Sequence, residues 1–381
     1  MEPAATPPIP PGDPQRGTAS ADDARARPNA DPVVGITPRP SRWLARLVSA
    51  AGPLLALLLV VGFFAIADAF QGNAGKFLTD GSVRLVGVQS VKVAIAALGM
   101  TMIIIAGGID LSAGTAAALA GCVAAYALKQ GFNIQGAIAL AILSGALCGL
   151  LNGALVSMLR LVPFIITLGT MTIFEGFGKM IAEDGGTIRP PTGSIPEWVD
   201  RMVTQFPDPL WIAWPLLPNF GWGVWMTLVL AIMVALLLYQ TVFGRHLFAI
   251  GSSEPTARLC GVAVTRTKLA VYTLAGALIG LAGVVDLARL GKGDAMAGRG
   301  LELEIIAAVV IGGGSLSGGR GSVFGTLCGV LIVRVINLGT TALGLENQVE
   351  NVLLGIIIIT AVAVDRLRQK RLNPTGRTSS D

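Results

Sequence analysis

The sequence predicts an all-α protein, a polytopic transmembrane helical bundle of about ten spans built from two pseudo-symmetric halves. Three observations carry this. Of 381 residues, 53% are hydrophobic and only 13% charged, where a soluble domain carries about 25% charged residues. Several apolar runs, such as 51–69 and 222–241, approach or exceed the ~20 residues a helix needs to cross a bilayer. The runs lack the period-two alternation of a membrane barrel, so the spans are helices.

Residues 1–43 come first. Their opening forty are rich in Pro, Ala, Asp and Arg and hold no apolar stretch long enough for a signal-peptide core. They read as a disordered cytoplasmic tail rather than a secretion signal. Residues 44–368 form the membrane domain, with candidate spans near 47–69, 85–106, 111–128, 134–158, 162–182, 222–241, 268–289, 302–313, 323–343 and 350–364. The eighth is too short for a full helical crossing. Residues 369–381 form a cytoplasmic C-terminal tail.

Orientation follows the placement of Lys and Arg in short loops. Residues 242–268 hold Arg245, Arg258, Arg266 and Lys268 against Glu254, and the C-terminal "DRLRQKRLNPTGR" is equally basic. Both belong in the cytoplasm. The long loop 183–221 is acidic and contains prolines and tryptophans suited to a membrane surface, so it belongs outside. Ten crossings return both termini to the cytoplasm.

The chain contains an echo. "AGGIDLSAG" at 106–114 aligns without a gap to "IGGGSLSGG" at 311–319. A parallel repeat, common in transporters, explains it; a coincidence of Gly and Ser is the alternative. Asp110, in the first copy, is placed to N-cap the following helix, and Ser315 matches it in the second. The other reading of Asp110, an ion or proton relay, requires a partner within the membrane. The only histidine, His246, is in the basic loop. Cys122, Cys148, Cys260 and Cys328 show no CxxC or metal spacing and read as free thiols.

The segments "ALGMTMIIIAGGIDLSAGTAAALAG", "FGRHLFAIGSSEPTARLCGV", "LARLGKGDAMAGRGLELEIIAAVVIGGGSLSGGRGSVFGTLCGVL" and "VLLGIIIITAVAVDRLR" run in order from about residue 47 to 368. Together they resemble the inner-membrane permease subunits of bacterial ABC importers for ribose- and xylose-type monosaccharides. The resemblance implies a multi-pass protein of the bacterial inner membrane, paired with a second permease copy or a related chain. It also implies a cytoplasmic ATP-binding subunit that carries ATP-Mg, a periplasmic sugar-binding protein, and no nucleic acid partner. The chain has no GxxxxGK[ST] phosphate loop; the expectation is a transport subunit, not an enzyme, with no cofactor or metal of its own.

The resemblance places the ATPase contact in the cytoplasmic coupling loop 242–267, at "SSEPTARLCGV". Arg245, Glu254, Pro255, Arg258 and Gly261 are its candidate residues. Pro255 and Thr256 stand where the family commonly has alanines, and Ser253 or Glu254 is placed to cap a helix there. A plain positive-inside anchor is the bland reading. Sugar recognition needs hydroxyl-bonding groups and often an aromatic face, so Gln89, Asn152, Thr167, Thr170, Phe174, Asn337 and Thr341 are candidates for the substrate path. Most such residues simply bridge helices.

Glu175 stands where the family usually has Arg, and Arg334 where it usually has a small residue. An isolated charge in mid-bilayer costs about 2.5 to 3.5 kcal/mol on the insertion scale. The two residues either pair, within or across subunits, or reach separately to opposite interfaces. Glu302 and Glu304 suit a helix start. An ion- or proton-coupled secondary carrier using Asp110 or Asp286 is the second functional reading. A membrane enzyme is a third, and it lacks a catalytic constellation.

Overall fold

The computed structural model describes residues 42–70, 77–159, 161–203 and 220–345, with scattered helical positions between 348 and 363. The two expected tails lie outside these residues. By its contacts the chain divides between Ala45 and Arg46, and the unit from Arg46 onward is the one considered below.

In chain order the elements are α1 (Arg42–Phe70), α2 (Asp80–Ile105), α3 (Ala113–Lys129), α4 (Ile134–Leu159), α5 (Pro163–Ile181), β1 (Thr187–Ile188), α6 (Glu197–Asp200), α7 (Trp222–Gln240), α8 (Val242–Ser252), α9 (Glu254–Leu259), α10 (Val264–Leu290), β2 (Gly293–Asp294), α11 (Leu301–Ile311) and α12 (Val323–Ala342). Helix α2 is the hub. Its most apolar window is 83% buried, against 17% for α1, and it packs on α7, α10, α11 and α12. Leu55, Leu58, Leu59, Phe63 and Ile66 of α1 are exposed, as suits a surface bathed in lipid tails.

The tightest seam joins α4 to α10. A Cβ on Gly145 would lie 2.4 Å from the Gly276 carbonyl oxygen, one on Gly149 2.0 Å from that of Tyr272, and one on Gly280 2.5 Å from that of Ala141. These glycines recur every four residues, which sets them on one helix face. In lipid, where no hydrophobic effect drives helices together, close backbone approach of this kind is a main source of helix association. A second seam of the same type joins α11 to α12 at Ala308, Gly312, Gly325 and Gly329.

Among the described residues seven helices are long and apolar enough to cross a membrane: α1, α2, α4, α5, α7, α10 and α12. Among these residues the expected count of about ten is not confirmed. The run at 111–128 yields α3, whose helix starts only at Ala113 and has 17 residues. The run at 302–313 yields α11, with 11 residues, about 16 Å of helix. The run at 350–364 falls mostly outside the described residues.

Helix α11 is nonetheless half of a longer passage. After α10 the chain turns at Gly291 with φ 63°, and β2 pairs antiparallel with β1, Ile188 opposite Gly293. It then runs back along α3. Gly293 lies against Cys122, and Gly298 against Gly114 and Ala118. From Cys122 to Gly114 is about 12 Å along the helix axis. Laid end to end with α11 this makes about 28 Å, close to the ~30 Å hydrocarbon thickness. Non-helical backbone at membrane depth is tolerated because protein covers it.

The repeat is partly visible. Helix α2 ends with Gly107 donating to the Ile104 carbonyl and Gly108 to that of Ile103; α11 ends with Gly313 donating to Val310 and Gly314 to Val309. These Schellman turns set Gly107 against Gly313, one residue out of register with the ungapped alignment. The same turn closes α3, α9 and α12, so it reflects a shared way of stopping a helix.

Gly149→Ala is expected to destabilise the purified chain by about 1 to 3 kcal/mol, because the added methyl meets backbone that no rotamer can clear. Gly62→Ala, with nothing within 4 Å of the new atom, is the control and should leave the thermal unfolding midpoint unchanged or raised.

Candidate functional site

At the end of the bundle that carries the β1–β2 pair, α2, α10, α11 and α12 enclose a polar cavity of about 160 Å3. Lys92 projects from α2 and donates to Asp286 Oδ2 of α10 at 2.8 Å, with a longer contact of 3.4 Å to the Ala297 carbonyl. Asp286 is only 5% exposed, and Arg289 approaches its other oxygen at 3.6 Å. Arg334 of α12 pairs with Glu304 of α11. Arg299, from the turns that lead into α11, also lines the cavity and reaches Glu175 of α5 at 2.6 Å.

Within the chain Glu175 and Arg334 do not pair with each other. Glu175 is held by Arg299 and, one turn along its own helix, by Lys179 at 2.5 Å. Arg334 is held by Glu304. Each charge takes the nearest opposite partner that the return passage and α11 supply, which lowers the cost of burial.

A second polar cluster sits where the chain turns after α2. Asp110 Oδ1 accepts from the Ser112 N–H at 2.8 Å and the Ser112 hydroxyl at 2.6 Å. Asn152 of α4 donates to both oxygens of Asp110, at 3.3 and 3.4 Å, and to Ser112 Oγ at 2.8 Å. The N-cap of α3 is Ser112 rather than Asp110, and it makes no side-chain cap bond. Asp110 instead closes an Asx-type turn ahead of the helix. Ser315 is not an N-cap. Helix α12 starts eight residues later, capped by Ser322, whose hydroxyl accepts from Gly325, while the Ser315 N–H bonds the Arg320 carbonyl.

The substrate-path candidates do not converge. Gln89 lines the polar cavity. Asn152 belongs to the Asp110 cluster. Thr167 bonds the Ile109 carbonyl at 3.2 Å and Thr170 the Thr167 carbonyl at 3.3 Å, and Phe174 is buried in the core. Asn152 and Thr167 fasten α4 and α5 to the turn. Thr341 bonds the Asn337 carbonyl within α12.

At the opposite end, Ser253 caps α9 and accepts from the Thr256 N–H at 3.4 Å. Pro255 occupies an early helical position, where its missing N–H costs nothing. Gly261, at φ 83°, ends the helix. Glu254 binds Arg258 at 3.1 Å and Lys268 of α10 at 2.6 Å, so α9 is tied to a long helix. Leu259 projects outward, 89% exposed, and Arg245 is also exposed. A cavity of about 490 Å3 opens between Glu254, Arg258, Lys268 and the α4–α5 turn at Leu161–Pro163. Beside it three backbones meet. A Cβ on Gly251 would lie 1.8 Å from the Ile105 carbonyl oxygen, one on Gly318 would lie 2.9 Å from Gly107 Cα, and Gly319 donates to Ile105 at 2.9 Å.

Membrane-length helices, one passage broken at membrane depth, a charged cavity inside and a short capped helix projecting at one end define a membrane transport subunit. The chain belongs to the family described as the branched-chain amino acid transport system permease component, whose model matches residues 84–362. It is 38% identical over 323 residues to the ribose import permease protein of Bacillus subtilis, covering 83% of this chain and 92% of that one. It is 34% identical over 322 residues to the fructose import permease protein of Rhizobium meliloti, covering 84% and 86%. To the D-allose transport system permease protein of Escherichia coli it is 34% identical over 295 residues, covering 77% and 86%. No solved structure matches.

Sequence reasoning missed Lys92, Arg289 and Arg299 as site residues. Lys92 was detectable, as a lone cation deep in the apolar run of α2. Its partner, 194 residues away, was not.

Lys92→Met is expected to destabilise the chain by about 3 to 5 kcal/mol because it strands the Asp286 carboxylate, while adding Asp286→Leu should recover most of the loss. Thermal unfolding of both variants in lipid nanodiscs measures this. The Lys268 hydrogen bond holds the Glu254 carboxyl below its ordinary value of 4.5, against desolvation and with help from Arg258. Anchoring of α9 is thus present above that value and lost as pH falls below it. Glu254→Gln should reproduce the loss at neutral pH, seen as faster amide exchange at Ala257–Cys260.

Proposed function

We propose that this chain is the permease subunit of a binding-protein-dependent ABC importer that carries a monosaccharide of the ribose class into the cytoplasm. The observation that supports this reading most is the likeness to the ribose, fructose and allose permeases over most of both chains. In this reading ATP-Mg is bound and hydrolysed on a separate cytoplasmic subunit, a periplasmic protein delivers the sugar, and two permease copies line the pathway. The chain moves its cargo and catalyses no covalent step.

The end bearing α9 faces the cytoplasm and the end bearing β1 and β2 faces outward, in keeping with the basic residues around 242–268. Helix α9 is the coupling element. It presents Leu259 and Arg258 to a partner groove while Glu254, through Lys268, holds it to the bundle, a helix-in-groove arrangement. The acids that a proton-coupled carrier would use are already engaged, Asp110 by Ser112 and Asn152 and Asp286 by Lys92.

Purification from native membrane in mild detergent should bring an ATP-hydrolysing subunit in near-equal amount. Leu259→Asp should abolish that co-purification and ATP-dependent uptake while shifting stability by no more than about 0.5 kcal/mol, as for an ordinary surface change. A chain that repeatedly comes alone, with uptake that a protonophore abolishes, would replace this reading with a secondary carrier.

A further inference from the structure

The polar cavity at the β1–β2 end is lined by charges that already have partners. Lys92 holds Asp286, Arg334 holds Glu304, and Arg299 grips Glu175 through two nitrogens, at 2.6 and 3.4 Å. Arg289, the remaining cation of the lining, is half exposed, so water screens it. Apart from that solvated group the charges balance in pairs, and nothing here calls for a charged guest.

Pairing does not exhaust their hydrogen-bonding capacity. An ionised carboxylate accepts about four bonds. Asp286 Oδ1 is buried without a hydrogen-bond partner, the Arg289 approach of 3.6 Å being too long to serve. Glu304 meets Arg334 through Oε2, which leaves Oε1 as a second acceptor. Gln89, from α2, brings an amide to the same lining, with two donors and an acceptor of its own.

Leaving a buried acceptor unsatisfied is costly. A carboxylate or phosphate guest has no proton to offer Asp286, and a cation would meet Lys92 and Arg334. A hydroxyl both donates and accepts. A ring that carries several can donate to Asp286 and Glu304 and accept from Gln89 without bringing charge. At about 160 Å3 the cavity is smaller than the ~300 Å3 at which pockets for drug-sized ligands begin. It suits one small ring.

We propose that this cavity binds one neutral monosaccharide through its hydroxyls, with Asp286 Oδ1 and Glu304 accepting and the Gln89 amide donating. The proposal rests on the importer reading, which turns this end outward, where a delivered sugar arrives. Lys92 and Arg334 are positioning residues. Each aims the carboxylate it pairs with, so the acceptors are in place before the sugar enters.

The test uses the full chain in phosphatidylcholine nanodiscs, without binding protein or ATPase. Saturation-transfer NMR, which reads weak and rapidly exchanging ligands, follows D-ribose, D-fructose and D-allose in turn, with D-gluconate as the charge control and maltose as the size control. The expected result is a saturable signal with at least one of the three monosaccharides and none with either control. Gln89→Leu should weaken binding of the best sugar at least about tenfold, because a hydroxyl loses its partner. Lys92→Met/Asp286→Leu, which removes a pair without stranding a charge, should abolish the signal. Gln89→Leu keeps every ion pair and decides the matter if the double variant fails to fold.

No saturable signal with any of the three would leave the cavity to water and overturn the proposal. So would D-gluconate or maltose binding as tightly as the best monosaccharide, or binding that neither variant changes. Co-purification of an ATPase together with a negative titration leaves the importer reading in place and removes only this site. A positive titration without an ATPase keeps the site and removes the importer reading.

Discussion

The bundle depends on how closely the backbones of α4 and α10 approach. With glycines at 145, 149, 276 and 280, each helix sets its carbonyls against the other's main chain. That contact fixes α10, and α10 carries Asp286 to Lys92 and Tyr272 to the turn after α2. Apolar side chains alone would not fix it, since Leu on a helix surface is as content against lipid as against another helix. The seam therefore comes from backbone geometry, and the charged cavity is its downstream result.

Much of this was legible in the sequence, for reasons that differ by element. Long spans such as α2, α7 and α10 are apolar over their whole length, and bilayer thickness turns length directly into topology. Helix α9 was legible because its signals are local: a Ser cap, an early proline, a closing glycine. The return passage from Gly291 to Gly300 was not. It is short, polar and glycine-rich, and only its burial against α3 makes it part of the membrane structure. The Ser315 cap failed for a related reason, since the ungapped alignment assumed a helix start where the chain continues as a loop to Ser322.

The charged residues show the same limit. Composition establishes that Glu175, Arg334 and Lys92 are expensive and so must have partners. It does not say which, because the candidates are separated by many residues and by several helices. Glu175 and Arg334 formed a plausible pair on cost alone. The structure satisfies each of them locally, through Arg299 and Glu304, residues delivered by the return passage and by α11, the two pieces of the chain that pattern reading resolved least. The family relationship is far easier to read than the site, because it rests on the order of many weak motifs, while the site rests on a few contacts distant in sequence.

The meeting of Gly107, Gly251 and Gly318 has a mechanical consequence. Side chains at a joint act as springs, because a rotamer change can take up a displacement before it travels further. At this joint there are none. The end of α8, which leads directly into α9, rests main chain on main chain against the last turn of α2 and the loop leading into α12. Push on one of the three and the others have no slack with which to yield. A lever built this way loses little of its stroke between α9 and the core of the bundle.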